Sequence, residues 1–96
     1  MTRDLAYLIL NKYLTNKNLI KHCLATEATM RALARYYKED EDKWGITGLL
    51  HDADYEMSKG YPEKHGLLLF EKEVNTIPSD IAHAIKAHNY QYTKVY

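Results

Sequence analysis

Apolar residues along the chain recur at the three- and four-residue spacing of amphipathic helices, and no stretch alternates with the two-residue period of a strand. The sequence also has no β-branched run and no Asn-Gly or Asp-Gly hairpin turn. We therefore predict an all-α fold, a compact bundle of about five helices, in one domain that covers residues 1–96.

Two helices are predicted in the first 38 residues. Helix one is expected from about Asp4 to Leu14 and helix two from about Leu19 to Lys38, with Asn18 as the N-cap of helix two. The inward positions predicted from the spacing are Leu5, Leu8, Ile9 and Tyr13 on helix one, and Leu19, Cys23, Met30, Leu33 and Tyr37 on helix two. The far side of helix two is expected to carry Lys21, Arg31 and Arg35.

Three shorter helices are predicted after residue 39. Asp40 is expected to cap helix three, about Glu41 to His51, with Trp44 and Leu50 inward. Helix four is expected from Pro62 to Val74, because proline fits a first helical turn, and helix five from Ser79 to Asn89 with Ile81 and Ile85 inward. Gly45 and Gly48 interrupt helix three, which indicates close approach of another helix or space kept for a ligand.

The charge and cysteine content narrow the classes of function. Lys and Arg number 13 and Asp and Glu number 13, so without a basic surface a nucleic-acid polymer is not an expected partner. The single cysteine, Cys23, forms no intramolecular disulfide, which fits a reducing cytoplasm. No apolar run approaches the ~20 residues of a membrane span, and the N-terminus does not resemble a secretory signal. We therefore predict a cytoplasmic protein with no membrane partner.

A histidine and an aspartate, His51 and Asp52, stand side by side where helix three is expected to end. Neighbouring side chains inside a helix point about 100° apart, but the second residue at a helix end is released from helical geometry. Both side chains can then converge on one point. Imidazole and carboxylate together suit Zn, Mn, Fe or Ni better than calcium. This pair is therefore a candidate metal site.

Helical phase sorts the other histidines. His22 falls on the flank of the inward side of helix two, and His88 shares the inward side of helix five with its two isoleucines. His83 precedes His88 by five residues, about 140° round the helix, and is expected at the surface. His65 lies in the predicted first turn of helix four. On the residues alone, the alternative is that these are core histidines whose nitrogens are hydrogen-bonded.

The order of the histidines around the His51-Asp52 pair, within residues 19–35 and 42–56, resembles the HD-domain superfamily of metal-dependent phosphohydrolases in its HDIG-like form. The similarity continues through His65-Gly66 and Ala87-His88-Asn89 and covers about residues 18–90. The order H…HD…H…H is far more specific than an isolated HD pair, which occurs by chance in many proteins. The all-helical bundle of this family agrees with the fold predicted above.

The resemblance implies a set of metal ligands. His22 matches the first histidine of the family pattern, and His51 and Asp52 match the doublet, with Asp52 able to bridge two ions. His65 and His88 match the histidines that hold a second metal in dinuclear members. The implied cofactor is one or two divalent transition-metal ions, Mn, Fe, Zn or Ni.

The resemblance also implies an activity, hydrolysis of a small phosphorylated substrate such as a nucleotide through a metal-bound hydroxide. Asp52 would orient the nucleophile, and Glu56 or Asp54 would act as a general acid or base or as a partner of the ligands. The alternative for these two carboxylates is simple exposure on a loop. The candidates for contact with substrate phosphates are Lys59, Lys64 and Lys86.

Two positions depart from the family pattern. The pattern closes with an aspartate on a further helix, but no acidic residue follows Asp80. Tyr55 stands where members that cleave cyclic dinucleotides often have a lysine, which argues against that subclass. The missing aspartate leaves three alternatives: a truncated enzyme, a homo-oligomer in which a partner chain covers the gap, or a degenerate, non-catalytic module that acts by metal or ligand binding or by oligomerisation.

Overall fold

The computed structural model describes residues 1–61, 64–65, 67–73 and 75–87. These residues form helices and turns and contain no strand, so the all-α prediction is confirmed. The helices are α1 (Arg3–Tyr13), α2 (Lys17–Tyr37), α3 (Glu41–Leu50), α4 (Leu68–Lys72) and α5 (Ser79–Ala87).

Helix α3 is the central element. It packs most extensively against α2, and α1 and α5 also pack against it. Half of its ten residues are buried, namely Gly45, Ile46, Gly48, Leu49 and Leu50. A helix that is apolar over most of its surface belongs in the interior of a bundle. The C-terminal end of α3 is therefore held from several sides, and that end carries the His51-Asp52 pair.

The two glycines of α3 allow α2 to come close. A Cβ atom added to Gly48 would lie 2.9 Å from Cγ of Met30 and 3.1 Å from the backbone oxygen of Thr26, and one added to Gly45 would lie 2.5 Å from Nε of Arg31. All three neighbours are on α2. The prediction of close helix approach at these glycines is confirmed.

Side-chain caps fix where the first three helices begin. The Asp40 carboxylate accepts a hydrogen bond from the backbone N–H of Lys43, as predicted. The Thr2 hydroxyl accepts a hydrogen bond from the backbone N–H of Leu5 at the start of α1. The prediction of Asn18 as the cap of α2 is wrong: the Asn16 side chain accepts from the backbone N–H groups of Asn18 and Leu19, and α2 begins at Lys17.

The predicted inward sides of α1 and α2 are partly wrong. Leu5 and Leu8 are exposed, whereas Ala6, Ile9 and Leu10 are buried. Apolar residues surround α1, so spacing alone did not distinguish the two sides. On α2, Cys23 is buried as expected and Leu19 and Met30 are half-buried, but Leu33 and Tyr37 are exposed. The buried side of α2 instead continues through Glu27 and Ala34, a charged residue and a small one that the hydrophobic pattern does not select.

Glu27 is buried because two arginines neutralise it. Its carboxylate accepts hydrogen bonds from Arg3 of α1 (3.0 and 3.1 Å) and from Arg31 one turn along α2 (3.1 and 3.2 Å). Arg31 also pairs with Asp42 of α3 at 2.8 Å. Arg31 therefore packs between helices, which corrects its predicted place on the far side of α2. This network joins α1, α2 and α3.

Helix α4 is shorter than predicted. The fourth helix was expected to begin at Pro62, but the α-helix begins at Leu68. Before it, the N–H of Lys64 donates to the carbonyl of Tyr61 and the N–H of Leu67 donates to that of Lys64, which is the three-residue spacing of tight turns. His65 consequently lies in this turn and not in a first helical turn.

Helix α5 confirms the predicted phase. Ile81 and Ile85 are buried in the core, and His83 is exposed. The predicted end of this helix at Asn89, the inward position of His88 and the tail 90–96 lie outside the described residues. Among the residues that the structure describes, no helix is both long enough and apolar enough to cross a membrane.

Replacing Gly48 by alanine tests the close approach of α2 and α3. Helix propensity alone predicts that Gly→Ala stabilises a helix by about 1 kcal/mol. The contacts with Met30 and the Thr26 carbonyl reverse this sign, and we expect Gly48→Ala to lower the free energy of unfolding by about 1–3 kcal/mol. Urea denaturation measures the difference. An increase in stability would contradict the packing described here.

The Glu27 network predicts a loss of stability in acid. Burial raises the pKa of Glu27, but the hydrogen bonds from Arg3 and Arg31 outweigh burial and hold this pKa below its usual value. The stabilisation is therefore complete above the pKa of an unfolded glutamate, about 4.3, and is lost as the pH falls through the lower folded value.

Urea midpoints of the wild type and Glu27→Gln between pH 7 and pH 3 measure this effect. At pH 7 we expect Glu27→Gln to cost about 1–3 kcal/mol, because both arginines lose a charged acceptor. The gap should narrow below pH 4. Glu71→Gln, at an exposed position, serves as the control and should show no such gap. A gap that stays constant with pH would exclude the proposed linkage.

Candidate metal centre

The His51-Asp52 pair converges at the end of α3, as predicted. His51 is the C-cap residue and keeps helical backbone angles (φ −57°, ψ −31°), after which the chain turns through hydrogen bonds from Ala53 N–H to the Leu50 carbonyl and from Tyr55 N–H to the Asp52 carbonyl. Nε2 of His51 lies 2.9 Å from Oδ2 of Asp52. Both side chains are about four-fifths buried, so the pair is partly shielded from water.

The Gly48 carbonyl fixes the orientation of His51. Nδ1 of His51 is 2.6 Å from this oxygen. A carbonyl only accepts hydrogen bonds, so Nδ1 carries the proton and a neutral His51 presents the lone pair of Nε2 towards Asp52. A histidine held in this way by a backbone carbonyl is the usual arrangement of a metal ligand.

His22 of α2 completes a cluster with the pair. Its Nε2 atom is 3.3 Å from Oδ2 of Asp52, and the His22 and His51 rings are 5.3 Å apart between centroids. One ligand atom from each of His22, His51 and Asp52 lies within 4.8 Å of the others. His22 is the most exposed of the three, with 54% of its side chain accessible, and it forms the open side of the cluster.

The three side chains fit a first-row transition metal. Ligand atoms that share such an ion at about 2.1 Å are about 3.0–3.4 Å apart when they are adjacent. The distances from Asp52 Oδ2 to the two Nε2 atoms, 3.3 and 2.9 Å, are close to this range. Two imidazoles and a carboxylate are also donors that Mn, Fe, Zn and Ni accept.

His65 lies on the other side of the Asp52 carboxylate. Its Nε2 atom is 3.0 Å from Oδ1 of Asp52, and its Nδ1 atom is 2.7 Å from Oδ1 of Asp54. Asp54 is almost completely buried, at 1% exposure. Both carboxylates therefore face one imidazole ring. The assignment of His65 as a ligand to a second metal stays a prediction, and the structure places its Nε2 atom on the second oxygen of Asp52, where such an ion would be held.

The carboxylates change the protonation of the two histidines. Hydrogen bonds to Asp52 and Asp54 raise the pKa of His65 to about 9. Burial lowers the pKa of His51, but the hydrogen bonds to Asp52 and the Gly48 carbonyl outweigh burial and raise it. Positive charge is therefore stabilised at this cluster, which is the electrostatic requirement of a cation site.

Cys23 lies beneath the cluster in the core. It is completely buried, and burial together with the negative charge of Asp52 raises the pKa of its thiol to about 11. The thiolate is the form that binds metals, so this protonated side chain acts as a small apolar residue.

Glu56 is held away from the cluster by the turn between α1 and α2. Its carboxylate accepts hydrogen bonds from the Thr15 N–H (2.6 Å), the Thr15 hydroxyl (2.8 Å) and the Asn16 N–H (3.0 Å). These bonds lower the pKa of Glu56. Its assignment as a general acid or base stays a prediction, but the contacts of Glu56 are those of a structural anchor. Asp54, the other carboxylate named as a candidate for these roles, instead contacts His65.

The remaining candidates lie elsewhere. His88 is outside the described residues. Lys59 and Lys64 are exposed, and Lys86 stacks over the Phe70 ring with its Nζ atom 5.3 Å from the centroid. Tyr55, at the position where a lysine marks one subclass, packs edge-on to the His65 ring at 6.0 Å between centroids. No sequence signal pointed to the pairing of Asp54 with His65 or to the Gly48 carbonyl.

One comparison with known proteins gives a match for this chain. A family model described as HD domain matches residues 19–94, which is most of the chain and includes all the histidines. No curated protein and no solved structure matches the chain.

Replacing Glu56 separates its structural contacts from a chemical role. Glu56→Gln removes the charged acceptor of three hydrogen bonds, and we expect the free energy of unfolding to fall by about 1–2 kcal/mol. Denaturation with urea measures the loss, and Glu71→Gln, at an exposed position, is the control. Unchanged stability would show that the anchor is unimportant.

Proposed function

The chain belongs to the HD domain family, and we propose on this basis that it binds a divalent transition metal at His22, His51 and Asp52 and hydrolyses a small phosphate ester, such as a nucleotide. The observation that carries the proposal is the geometry of His51. Its Nδ1 atom is fixed by the Gly48 carbonyl, and its Nε2 atom faces a carboxylate oxygen that His22 also approaches.

A cation explains this geometry. With Nδ1 protonated, a neutral His51 directs a lone pair at Asp52 Oδ2 across 2.9 Å, and two acceptors at this distance repel unless a proton or a metal ion lies between them. His22 adds a second imidazole nitrogen on the same oxygen. Mn, Fe, Zn and Ni all suit this donor set.

The chain's own residues define what the site does. His22 Nε2, His51 Nε2 and Asp52 Oδ2 would hold the ion, and the exposed side of the cluster at His22 is where a phosphate group can approach. A bound divalent ion supplies Lewis acidity, which lowers the pKa of coordinated water and offsets charge on phosphoryl oxygens. Asp52 carries a second oxygen, paired with His65, that keeps the carboxylate oriented.

Metal analysis tests the binding half of the proposal. Protein purified without chelators is incubated with Mn, Fe(II), Zn or Ni, freed of excess metal and measured by mass spectrometry. We expect at least one ion per chain in the wild type and a loss of most of it in His51→Ala. His83→Ala, which changes an exposed histidine of α5, should retain the metal. Equal metal in all three proteins, or none in any, would contradict the site.

Hydrolysis tests the catalytic half. The metal-loaded protein is assayed against generic phosphomonoesters, phosphodiesters and a panel of nucleotides. We expect turnover that falls at least 100-fold in His51→Ala and is unchanged in His83→Ala. Stoichiometric metal without turnover of any phosphate ester would contradict the hydrolase and support the alternative, a non-catalytic member of the family that acts by binding.

A further inference from the structure

The side chain of Asp54 lies in the interior of the protein, and the contacts that compensate for burying its negative charge come from other parts of the chain. Only 1% of the residue is exposed, and a buried carboxylate is costly unless positive charge or hydrogen-bond donors meet it. Oδ1 lies 2.7 Å from Nδ1 of His65, and Oδ2 lies 3.5 Å from the backbone N–H of Leu69. The short contact is the one with His65.

We propose that Asp54 is a positioning residue for the metal centre: it holds the proton of His65 on Nδ1 and thereby directs Nε2 of His65 at Oδ1 of Asp52. The inference rests on the proposed function, since Asp52 is the ligand that this arrangement serves. Asp54 touches neither ion nor substrate and acts through His65.

The position of the His65 proton follows from the short ion-pair contact with Asp54. A carboxylate accepts and does not donate, so the nitrogen 2.7 Å from Asp54 Oδ1 carries a proton. That proton stays on Nδ1 whether Nε2 is protonated and donates to Asp52 or is unprotonated and faces an ion. Asp54 therefore keeps Nδ1 of His65 protonated and leaves Nε2 as the nitrogen that can face either Asp52 or an ion.

His51 and His65 are arranged in the same way around Asp52. Each has Nδ1 engaged by an acceptor, the Gly48 carbonyl at 2.6 Å for His51 and the Asp54 carboxylate at 2.7 Å for His65. Each presents Nε2 to a different oxygen of Asp52, at 2.9 and 3.0 Å. Asp54 thus orients the His65 ring through Nδ1, as the Gly48 carbonyl orients the His51 ring.

The local sequence makes this arrangement possible. Asp52, Ala53 and Asp54 lie in a tight turn, with the Ala53 side chain completely buried in the core between the two acids. The two carboxylates reach the two nitrogens of one ring. Tyr55 packs edge-on against the same ring, so the His65 plane is restrained by three neighbours.

Nuclear magnetic resonance of the metal-free protein tests the positioning directly. We expect the Nδ1 proton of His65 to give a downfield, slowly exchanging signal in the wild type. The signal should shift upfield or disappear in Asp54→Asn, because the neutral amide is a weaker acceptor and can also donate. Asp42→Asn, at an exposed site on α3, is the matched control and should leave the signal unchanged.

Metal titration of the same proteins measures whether the orientation of His65 by Asp54 strengthens metal binding. We expect Asp54→Asn to weaken metal binding about 10-fold, the lower end of the loss that follows removal of a direct partner of a ligand, because Asp54 acts on the ligand Asp52 through His65. Asp42→Asn should bind the metal as the wild type does. Thermal unfolding of each variant checks that the fold is intact. A purely structural role at Leu69 would change stability and leave both the His65 signal and the metal affinity unchanged.

The outcomes separate this inference from the proposed function. An unchanged His65 signal in Asp54→Asn, or wild-type metal affinity in that variant, overturns the positioning role even if the enzyme is active. A wild-type protein that takes up no metal contradicts the proposed function, and loss of the His65 signal in Asp54→Asn would still support Asp54 as the residue that orients His65. If Asp54→Asn does not fold, Asp54→Glu replaces it with the same criteria.

Discussion

The close contact of α2 with α3 at Gly48 is the interaction on which the candidate site depends. The absence of a side chain at Gly48 lets the turn of α2 that carries Thr26 approach the α3 backbone, and His22 lies one turn before Thr26 on the same helix. The carbonyl of Gly48 also fixes the ring of His51. One residue thus brings the second helix within reach and orients the first histidine.

The Asp52 carboxylate connects the two halves of the site. Its Oδ2 atom faces His22 and His51, and its Oδ1 atom faces His65, which is itself held by the buried Asp54. Removing a proton or adding a cation at one oxygen therefore affects a network that reaches from α2 to the turn before α4. The ion pairs of Glu27 with Arg3 and Arg31, and that of Arg31 with Asp42, connect α1, α2 and α3.

Much of this arrangement was predictable from the sequence, and the parts that could not be predicted have physical causes. The start of α3 could be predicted from the capping residue Asp40, and its end was predicted at about His51, within one residue of the observed end at Leu50. The convergence of His51 with Asp52 follows from that end. The glycine spacing correctly indicated close packing. Spacing failed on α1 because leucines occur on both sides, and it failed for Glu27 because a charged residue is buried only with partners from elsewhere in the chain.

The pairing of Asp54 with His65 could not be predicted for a related reason. It depends on tight turns before α4, whereas the proline at residue 62 suggested the first turn of a helix there. Long-range contacts of this kind are set by the packing of several elements. Local sequence patterns contain the residues involved but not the orientation of their side chains.

The most direct test of the central claim is anomalous X-ray scattering from crystals grown with manganese or zinc, recorded at the absorption edge of the metal. We expect a peak about 2.0–2.2 Å from Nε2 of His22, Nε2 of His51 and Oδ2 of Asp52. Strong metal peaks elsewhere on the molecule, with His51 and Asp52 still in direct contact, would contradict the proposed site.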